Sequence, residues 1–247
     1  MKLTVIGCGD AFGSGGRFNT CFMIDAASKR MLLDCGASSL VALKAQKIDL
    51  NSIDGVMLSH LHADHFGALP SFLLDSQYLA RRENPLSIFG PPGTKARLTA
   101  AMEVFFPDSS KTKWRFPLEV GEITPDIPDE ILGLTVRTTK VIHHSGAPST
   151  AVRLSDGEKT LTYSGDTEWT DALIPIADGA DLFICECYEY ARDLTGHMSF
   201  ARLKANRARF NVHRTMLTHM NPTMLAQVEE ARREGYLIAE DGLALEV

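Results

Sequence analysis

Long apolar runs are missing from this sequence of 247 residues. A helix that crosses a membrane needs about 18 or more consecutive apolar residues, and no segment approaches that length. The opening segment, residues 1–10, also lacks the long apolar stretch and the small-residue cleavage site of a signal peptide, so we expect it to form a strand. These absences predict no association with a membrane and a location in the cytoplasm.

Cysteine is scarce, and an excess of positive charge is lacking. The five cysteines are scattered and odd in number, which argues against a disulfide framework and fits a reducing compartment. The formal net charge is −6, whereas a protein that binds a polynucleotide through its phosphates usually carries a basic surface. The charge therefore disfavours nucleic acid as a partner.

Hydrophobic residues make up 45% of the sequence, which is enough for a sizeable core. Neither a linker nor a repeat divides the chain, so we expect one domain over residues 1–247. Short apolar strands, first in hairpins and then interspersed with amphipathic helices, predict an α+β (layered α/β) domain with helices outside the sheets. Only the segment 107–128 is predicted to be mainly loop. The predicted strands are 3–6, 20–24, 30–33, 56–58, 86–89, 132–139, 150–154, 160–163, 182–185 and 215–217, and the predicted helices are 38–46, 70–82, 94–106, 199–210 and 223–234.

Three histidines and an aspartate lie within six residues, directly after a predicted buried strand. They are His60, His62, Asp64 and His65. Imidazole and carboxylate groups together suit zinc, manganese or iron, whereas a site made only of thiolates would indicate a structural zinc. The cluster therefore predicts half of a metal site and directs attention to ligands further along the chain.

Further candidate ligands follow predicted strands downstream, where the rigid strand ends let side chains converge with little loss of conformational entropy. The adjacent pair His143 and His144 leaves two alternatives open, although the direct exit from the strand favours His143. Asp166 is the best candidate for the carboxylate that must bridge two catalytic metals about 3.5–4 Å apart. His219 follows the last well-defined buried strand, and His197 precedes a predicted helix.

The run from His60 to His65, followed by His143, Asp166 and His219, resembles the successive motifs of the metallo-β-lactamase superfamily. The resemblance extends from the first strand to His219. It implies a four-layer αβ/βα sandwich and a metal-dependent hydrolase with its metals in a cleft at one edge of the two sheets. It also implies two divalent ions, zinc first, with manganese or iron as alternatives. The implied ligands are His60, His62 and His143 for the first ion, Asp64, His65 and His219 for the second, and Asp166 as the bridge.

Three features resemble the ribonuclease Z-like phosphodiesterase branch of that superfamily. They are the glycine-containing segment 6–11, the segment 148–153 and the additional histidine His197. The resemblance implies attack by a metal-bound hydroxide, with Asp64 orienting the water and His197 donating a proton to the leaving group. It also implies a possible homodimer.

The chain departs from the RNA-processing members of that branch. Their RNA-gripping arm lies between the third ligand histidine and the bridging aspartate, and the segment 144–165 is too short to hold it. The final histidine, His219, is followed by Met220-Asn221-Pro222, whereas in those members it is usually followed by a serine and an arginine-tyrosine pair. We therefore expect a small or cyclic phosphodiester as the substrate. The alternatives are a lactone or thioester (acyl) hydrolase, a tRNA 3′-processing endonuclease, and a metal-binding accessory protein of cofactor biosynthesis.

The segment Cys185-Glu186-Cys187 is a weaker signal. Alternation along a strand puts both cysteines on one face, where core packing is the simpler interpretation, and it turns Glu186 the other way. Glu186 is then placed to line the cleft or to support a ligand histidine. His213 is predicted to lie on a solvated helix end.

Overall fold

Two seven-stranded sheets form the centre of the protein in the computed structural model, which describes residues 1–247. The first sheet runs in the order β14-β1-β2-β3-β4-β5-β6 and the second in the order β13-β12-β11-β10-β9-β8-β7. The strands of the first sheet are β1 (Lys2–Gly7), β2 (Cys21–Ala26), β3 (Lys29–Leu33), β4 (Gly55–Met57), β5 (Leu86–Gly90), β6 (Leu118–Glu122) and β14 (Ala244–Glu246). Those of the second are β7 (Asp129–Ile131), β8 (Leu134–Lys140), β9 (Thr150–Ser155), β10 (Thr160–Tyr163), β11 (Ala180–Glu186), β12 (Val212–Thr218) and β13 (Leu237–Ile238).

Each sheet has an antiparallel part and a parallel part. Strands β14 to β3 pair antiparallel and β3 to β6 pair parallel. The second sheet repeats this arrangement, with β7 to β10 antiparallel and β10 to β13 parallel. The strands of a parallel part end at the same edge of their sheet, and polar side chains that follow them are therefore brought together.

Helices cover the outer face of each sheet. One apolar cluster lies between the sheets, with Phe22 and Ile24 on one side and Leu161 and Ile184 on the other. Two further clusters pack helices against the outer faces, so the layers run helices, sheet, sheet, helices. None of the helices combines the length and apolarity that crossing a bilayer requires. The helices are α1 (Ser39–Ala45), α2 (Ala63–Phe66), α3 (Leu69–Tyr78), α4 (Thr94–Phe105), α5 (Leu173–Ala177), α6 (Phe200–Asn206), α7 (Pro222–Leu225) and α8 (Val228–Arg233).

Several predicted element boundaries were wrong. Strand β6 lies within the segment 107–128 that was predicted as loop. It was missed because its apolar face consists only of Leu118 and Val120, both partly buried at the edge of the sheet, which is too short a pattern to identify a strand. The predicted helix 70–82 ends at Tyr78. The predicted helix 223–234 is divided at Gln227, whose φ and ψ of −118° and 12° depart from helical values. His213 lies exposed within β12 and not at a helix end.

Candidate metal centre

The candidate ligands lie at the shared edge where strands from both sheets end. His60 follows β4 by three residues, and Asp166 follows β10 by the same number. His219 comes directly after β12. The backbone N–H of His219 donates a hydrogen bond to the carbonyl of Cys8, which follows β1, at 3.0 Å. His143 follows β8. The fold thus brings side chains from both sheets to one edge.

One cluster contains the histidines His60, His62 and His143. Each histidine contributes one ring nitrogen, and these three nitrogens all lie within 4.8 Å of one another. Nδ1 of His62 and Nε2 of His143 are 3.0 Å apart. His60 is fully buried, whereas the other two are half-buried at the rim of the cleft. His144 is exposed and outside the cluster, so the structure favours His143 in the choice that the sequence left open.

A second cluster contains Asp64, His65, Asp166 and His219, all buried. Oδ2 of Asp64 lies 3.2 Å from Nε2 of His65 and 3.1 Å from Nε2 of His219. Asp64 and His65 reach this position because the short helix α2 begins immediately after His62. Both side chains thereby meet His219 beyond the end of β12, while the His65 ring also lies against His60, with centroids 4.0 Å apart.

Asp166 lies between the two clusters. Its Oδ2 is 3.9 Å from Nε2 of both His60 and His143, and 3.2 Å and 3.4 Å from Nε2 of His65 and His219. One carboxylate oxygen therefore faces nitrogens of both groups. This is the position that a bridging carboxylate requires.

Several nitrogen and oxygen atoms that could bind a metal have no hydrogen-bond partner in the protein. Nε2 of His60, Nε2 of His65 and Oδ1 of Asp166 are buried without a hydrogen bond. A buried polar atom left in this state costs about 1–3 kcal/mol. Imidazole nitrogens and carboxylate oxygens are ligands that divalent cations prefer, and bound cations would give these atoms the partners they lack. The residues therefore fit a pair of metal ions.

Hydrogen bonds behind the site orient the imidazole rings. Nδ1 of His65 donates to Asp34 Oδ2 at 2.7 Å, and Nδ1 of His143 donates to the carbonyl of Gly196 at 2.8 Å. Ser59 Oγ donates to Asp34 at 2.7 Å and accepts from Nδ1 of His60 at 3.0 Å. In the neutral form of each ring these bonds place the proton on Nδ1, which leaves Nε2 available to a metal ion.

The sequence interpretation missed Asp34, although a signal was present. Asp34 follows the apolar end of β3, Met31-Leu32-Leu33, in the same pattern of strand and then polar residue that marks the other site residues. It is fully buried.

Burial and mutual charge perturb the titration of the cluster. Burial, together with the positive charge of His65, holds the pKa of His60 well below its usual value. Burial alone would lower the pKa of His65, but the carboxylates of Asp166, Asp64 and Asp34 outweigh it and raise that pKa well above its usual value. Burial would raise the pKa of Asp166, but neighbouring imidazoles, His219 first, lower it. The lowered pKa keeps the Asp166 carboxylate ionised at neutral pH, as cation binding requires.

His197 lies beside the two clusters and is held by Glu186. The Glu186 side chain is fully buried, and its Oε1 accepts a hydrogen bond from His197 Nδ1 while Oε2 accepts one from the backbone N–H of Thr167 at 2.7 Å. Burial would lower the pKa of His197, but the hydrogen bond and charge of Glu186 raise it to about 9. Cys185 and Cys187 are buried in an apolar cluster. The strand alternation thus correctly predicted the side on which each residue lies.

Comparison with known proteins decides the family. The model of the family described as Anti-Pycsar protein Apyc1 matches residues 1–241. The chain belongs to this family. It is 29% identical over 228 residues to the probable metallo-hydrolase YhfI of Bacillus subtilis (strain 168), covering 89% of this chain and 87% of that protein. It is 27% identical over 195 residues to ribonuclease Z of Mycobacterium sp. (strain KMS), covering 74% of this chain and 67% of that protein.

Solved structures share the fold. The crystal structure of YhfI from B. subtilis, a metallo-β-lactamase fold protein, has a TM-score of 0.80 at 24% identity and covers 99% of each chain. The structure of Zn²⁺-bound PqqB from Methylobacterium extorquens has a TM-score of 0.79 at 16% identity and covers both chains fully. The chain is therefore a metallo-hydrolase of the metallo-β-lactamase fold, related to ribonuclease Z and YhfI. The predicted fold and enzyme class are confirmed.

Proposed function

We propose that the protein is a dinuclear metallophosphodiesterase whose substrate is a small or cyclic phosphodiester. The observation that carries this proposal is the position of Asp166, with one oxygen facing the histidines of both clusters. His60, His62 and His143 would hold one ion, Asp64, His65 and His219 the other, and Asp166 both.

The metal ions would lower the pKa of a shared water to near neutrality and neutralise charge on the phosphoryl oxygens. We favour zinc because the donor set combines imidazole with carboxylate, and manganese or iron would fit the same donors. The zinc-bound state of PqqB, a structural relative, agrees with this choice.

His197 would protonate the departing oxygen. Its Nδ1 is engaged by Glu186, which leaves Nε2 available to the substrate. The hydrogen bond and charge of Glu186 raise the pKa of the ring and so favour the protonated form that a general acid needs. Asp64, with one oxygen against His65 and His219, would orient the attacking water.

Two observations support a small substrate over an RNA. The segment between His143 and Asp166 is occupied by the β9–β10 hairpin, which pairs within the second sheet and forms no protruding arm. The formal net charge of −6 provides no general basic surface for a polynucleotide.

The test is the metal content of the purified protein together with a substrate screen. We expect about two transition-metal ions per chain and, with zinc or manganese, hydrolysis of bis-nitrophenyl phosphate and of a cyclic nucleotide but not of a lactone. Efficient lactone cleavage without diester cleavage would favour an acyl hydrolase instead. Failure to bind metal at all would overturn the proposal.

A further inference from the structure

An aromatic side chain that none of the proposed steps uses lies against the proton donor. The ring centroid of Tyr188 is 4.7 Å from that of His197, and the two planes are inclined by 30°. Tyr188 is also 6.0 Å from the His219 ring, measured between centroids. Its side chain is half-buried at the cleft, not in the core.

The fold accounts for this position. Side chains alternate beyond the end of β11, so Tyr188 extends to the same side as Glu186, while Cys187 turns into the core. Backbone hydrogen bonds attach this segment to the His219 loop on both sides of the ring. Cys187 N–H donates to Thr218 at 3.0 Å, and Tyr188 C=O accepts from Asn221 N–H at 2.9 Å.

The contacts of His197 show what the tyrosine adds. The hydrogen bond to Glu186 restrains one ring nitrogen but leaves the plane of the imidazole free to tilt. The His143 ring touches His197 edge-on, with centroids 5.0 Å apart, and the nearly parallel His219 ring is more distant, at 5.9 Å. Tyr188 covers the ring at the shortest aromatic distance and opposes that tilt. Proton transfer depends strongly on this orientation, since misplacement by about 1 Å is enough to slow a reaction by about 100-fold.

We infer that Tyr188 is a positioning residue that holds the His197 imidazole in the plane from which Nε2 reaches the leaving group. This inference rests on the proposed function for its effect on turnover. Its geometric content, the stacking of Tyr188 on His197, is independent of the substrate. The aromatic ring of Tyr188 holds the imidazole in place, and the tyrosine hydroxyl is not needed for this.

The experiment compares Tyr188→Leu, which removes the ring, with Tyr188→Phe, which keeps it. On diesters with alkoxide leaving groups we expect Y188L to lower kcat about tenfold, with a much smaller effect on nitrophenyl diesters, whose leaving group needs no proton. Y188F should restore kcat to within about twofold of wild type. In a His197→Ala background, Y188L should lower kcat on alkoxide diesters little further, because both substitutions impair the same proton transfer.

A second readout does not need turnover. The ring-proton resonances of His197, assigned by their absence in His197→Gln, should move in Y188L and stay near their wild-type positions in Y188F. Tyr190→Leu is the matched control, because Tyr190 is a half-buried tyrosine that stacks on Phe200 and donates to Glu230, away from the site. It should move neither the resonances nor the preference for leaving groups.

The inference is overturned if the His197 resonances are the same in Y188L and wild type, or if Y188F loses as much activity as Y188L. Equal slowing of both substrate classes by Y188L would also overturn it. If the wild-type protein hydrolyses no diester, the proposed function fails, while the resonances still decide whether Tyr188 stacks on His197.

Discussion

Single residues of this site depend on partners that bind no metal themselves. Asp34 shows this most clearly, since one carboxylate accepts from His65 Nδ1, from the Ser59 hydroxyl and from the Ser59 backbone N–H, each at 2.7 Å. It thereby sets the orientation of two histidines on different elements. Losing such a partner should weaken metal binding although every proposed ligand remains.

We predict that Asp34→Ala lowers metal affinity or activity by about 10–100-fold, the range typical of groups that orient metal ligands. Competition with a chromophoric chelator measures the affinity. Asp25→Ala is the control, because Asp25 pairs with Arg30 at the surface of the first sheet. Equal affinities in the two variants would contradict the role assigned to Asp34.

We predict that His197→Ala keeps its metal content but slows hydrolysis of alkoxide diesters by about 10²–10⁴-fold. Nitrophenyl diesters should be affected far less, because nitrophenolate departs without a proton. Steady-state rates on both substrate classes, with metal analysis of the same samples, make the comparison. A uniform loss on both classes would remove the general-acid role.

At the level of strands and loops, the turns that follow strands determine where ligands lie. Gly165 stands between β10 and Asp166 with a φ of +62°, and a Cβ there would lie 2.6 Å from the Thr150 carbonyl oxygen of β9. A side chain at this position is therefore both strained and obstructed. The close approach holds Asp166 at the centre of the site.

We predict that Gly165→Ala destabilises the protein by about 1–3 kcal/mol and reduces metal content, because the turn must shift and carry Asp166 with it. Gly157→Ala in the β9–β10 turn is matched to it, since Gly157 also has positive φ, +90°, but a Cβ there meets nothing within 4 Å. Denaturant unfolding and metal analysis compare the two. Full metal content in Gly165→Ala would show that the turn does not position Asp166.

The loop after His219 is anchored by Glu189. Burial raises the pKa of this carboxyl, but hydrogen bonds from Asn221, Thr223 and Arg192 outweigh it and lower the pKa to about 2. Because the folded-state pKa is below the unfolded value, the stabilisation is present above about pH 4.5 and is lost as the pH falls toward 2.

Glu189→Gln should therefore lower the free energy of unfolding by about 1–3 kcal/mol at pH 7, and the difference from wild type should shrink as the pH falls to about 3. Denaturant unfolding at a series of pH values measures this. A difference that stays constant over that range would mean that the ionised carboxylate contributes nothing.

Considered as a whole, the molecule is two sheets packed on a shared apolar core, with the candidate metal site at one edge of both. The segment His60–His65 follows the first sheet, whereas His143, Asp166 and His219 follow strands of the second. Ions bound between them would connect the two halves as well as perform the chemistry.

We predict that metal removal by a chelator lowers the thermal unfolding midpoint and that zinc restores it. Zinc at about 100 times its Kd should add about 2.7 kcal/mol to the stability of the folded protein. Thermal unfolding over a zinc series provides the measurement, with Asp166→Asn as the variant that should respond weakly. A midpoint independent of zinc in the wild-type protein would rule out a site that spans both sheets.

The accuracy of the sequence interpretation follows from local chemistry. Strands with a buried face, such as β2 and β11, were found because their apolar residues are contiguous, whereas the edge strand β6, which has no buried residue, was missed. The helix division at Gln227 was also missed, because the amphipathic pattern continues across it.

Within the site, the sequence alone determined the types and order of the candidate metal ligands, because a metal demands particular donor atoms wherever they lie in the chain. Folding then decided which atoms meet. It selected His143 over His144, placed Asp166 between the two clusters, and brought Asp34, Glu186 and Tyr188 behind or beside the histidines. These outcomes depend on distances between residues far apart in sequence, which follow only from the packing of one sheet on the other.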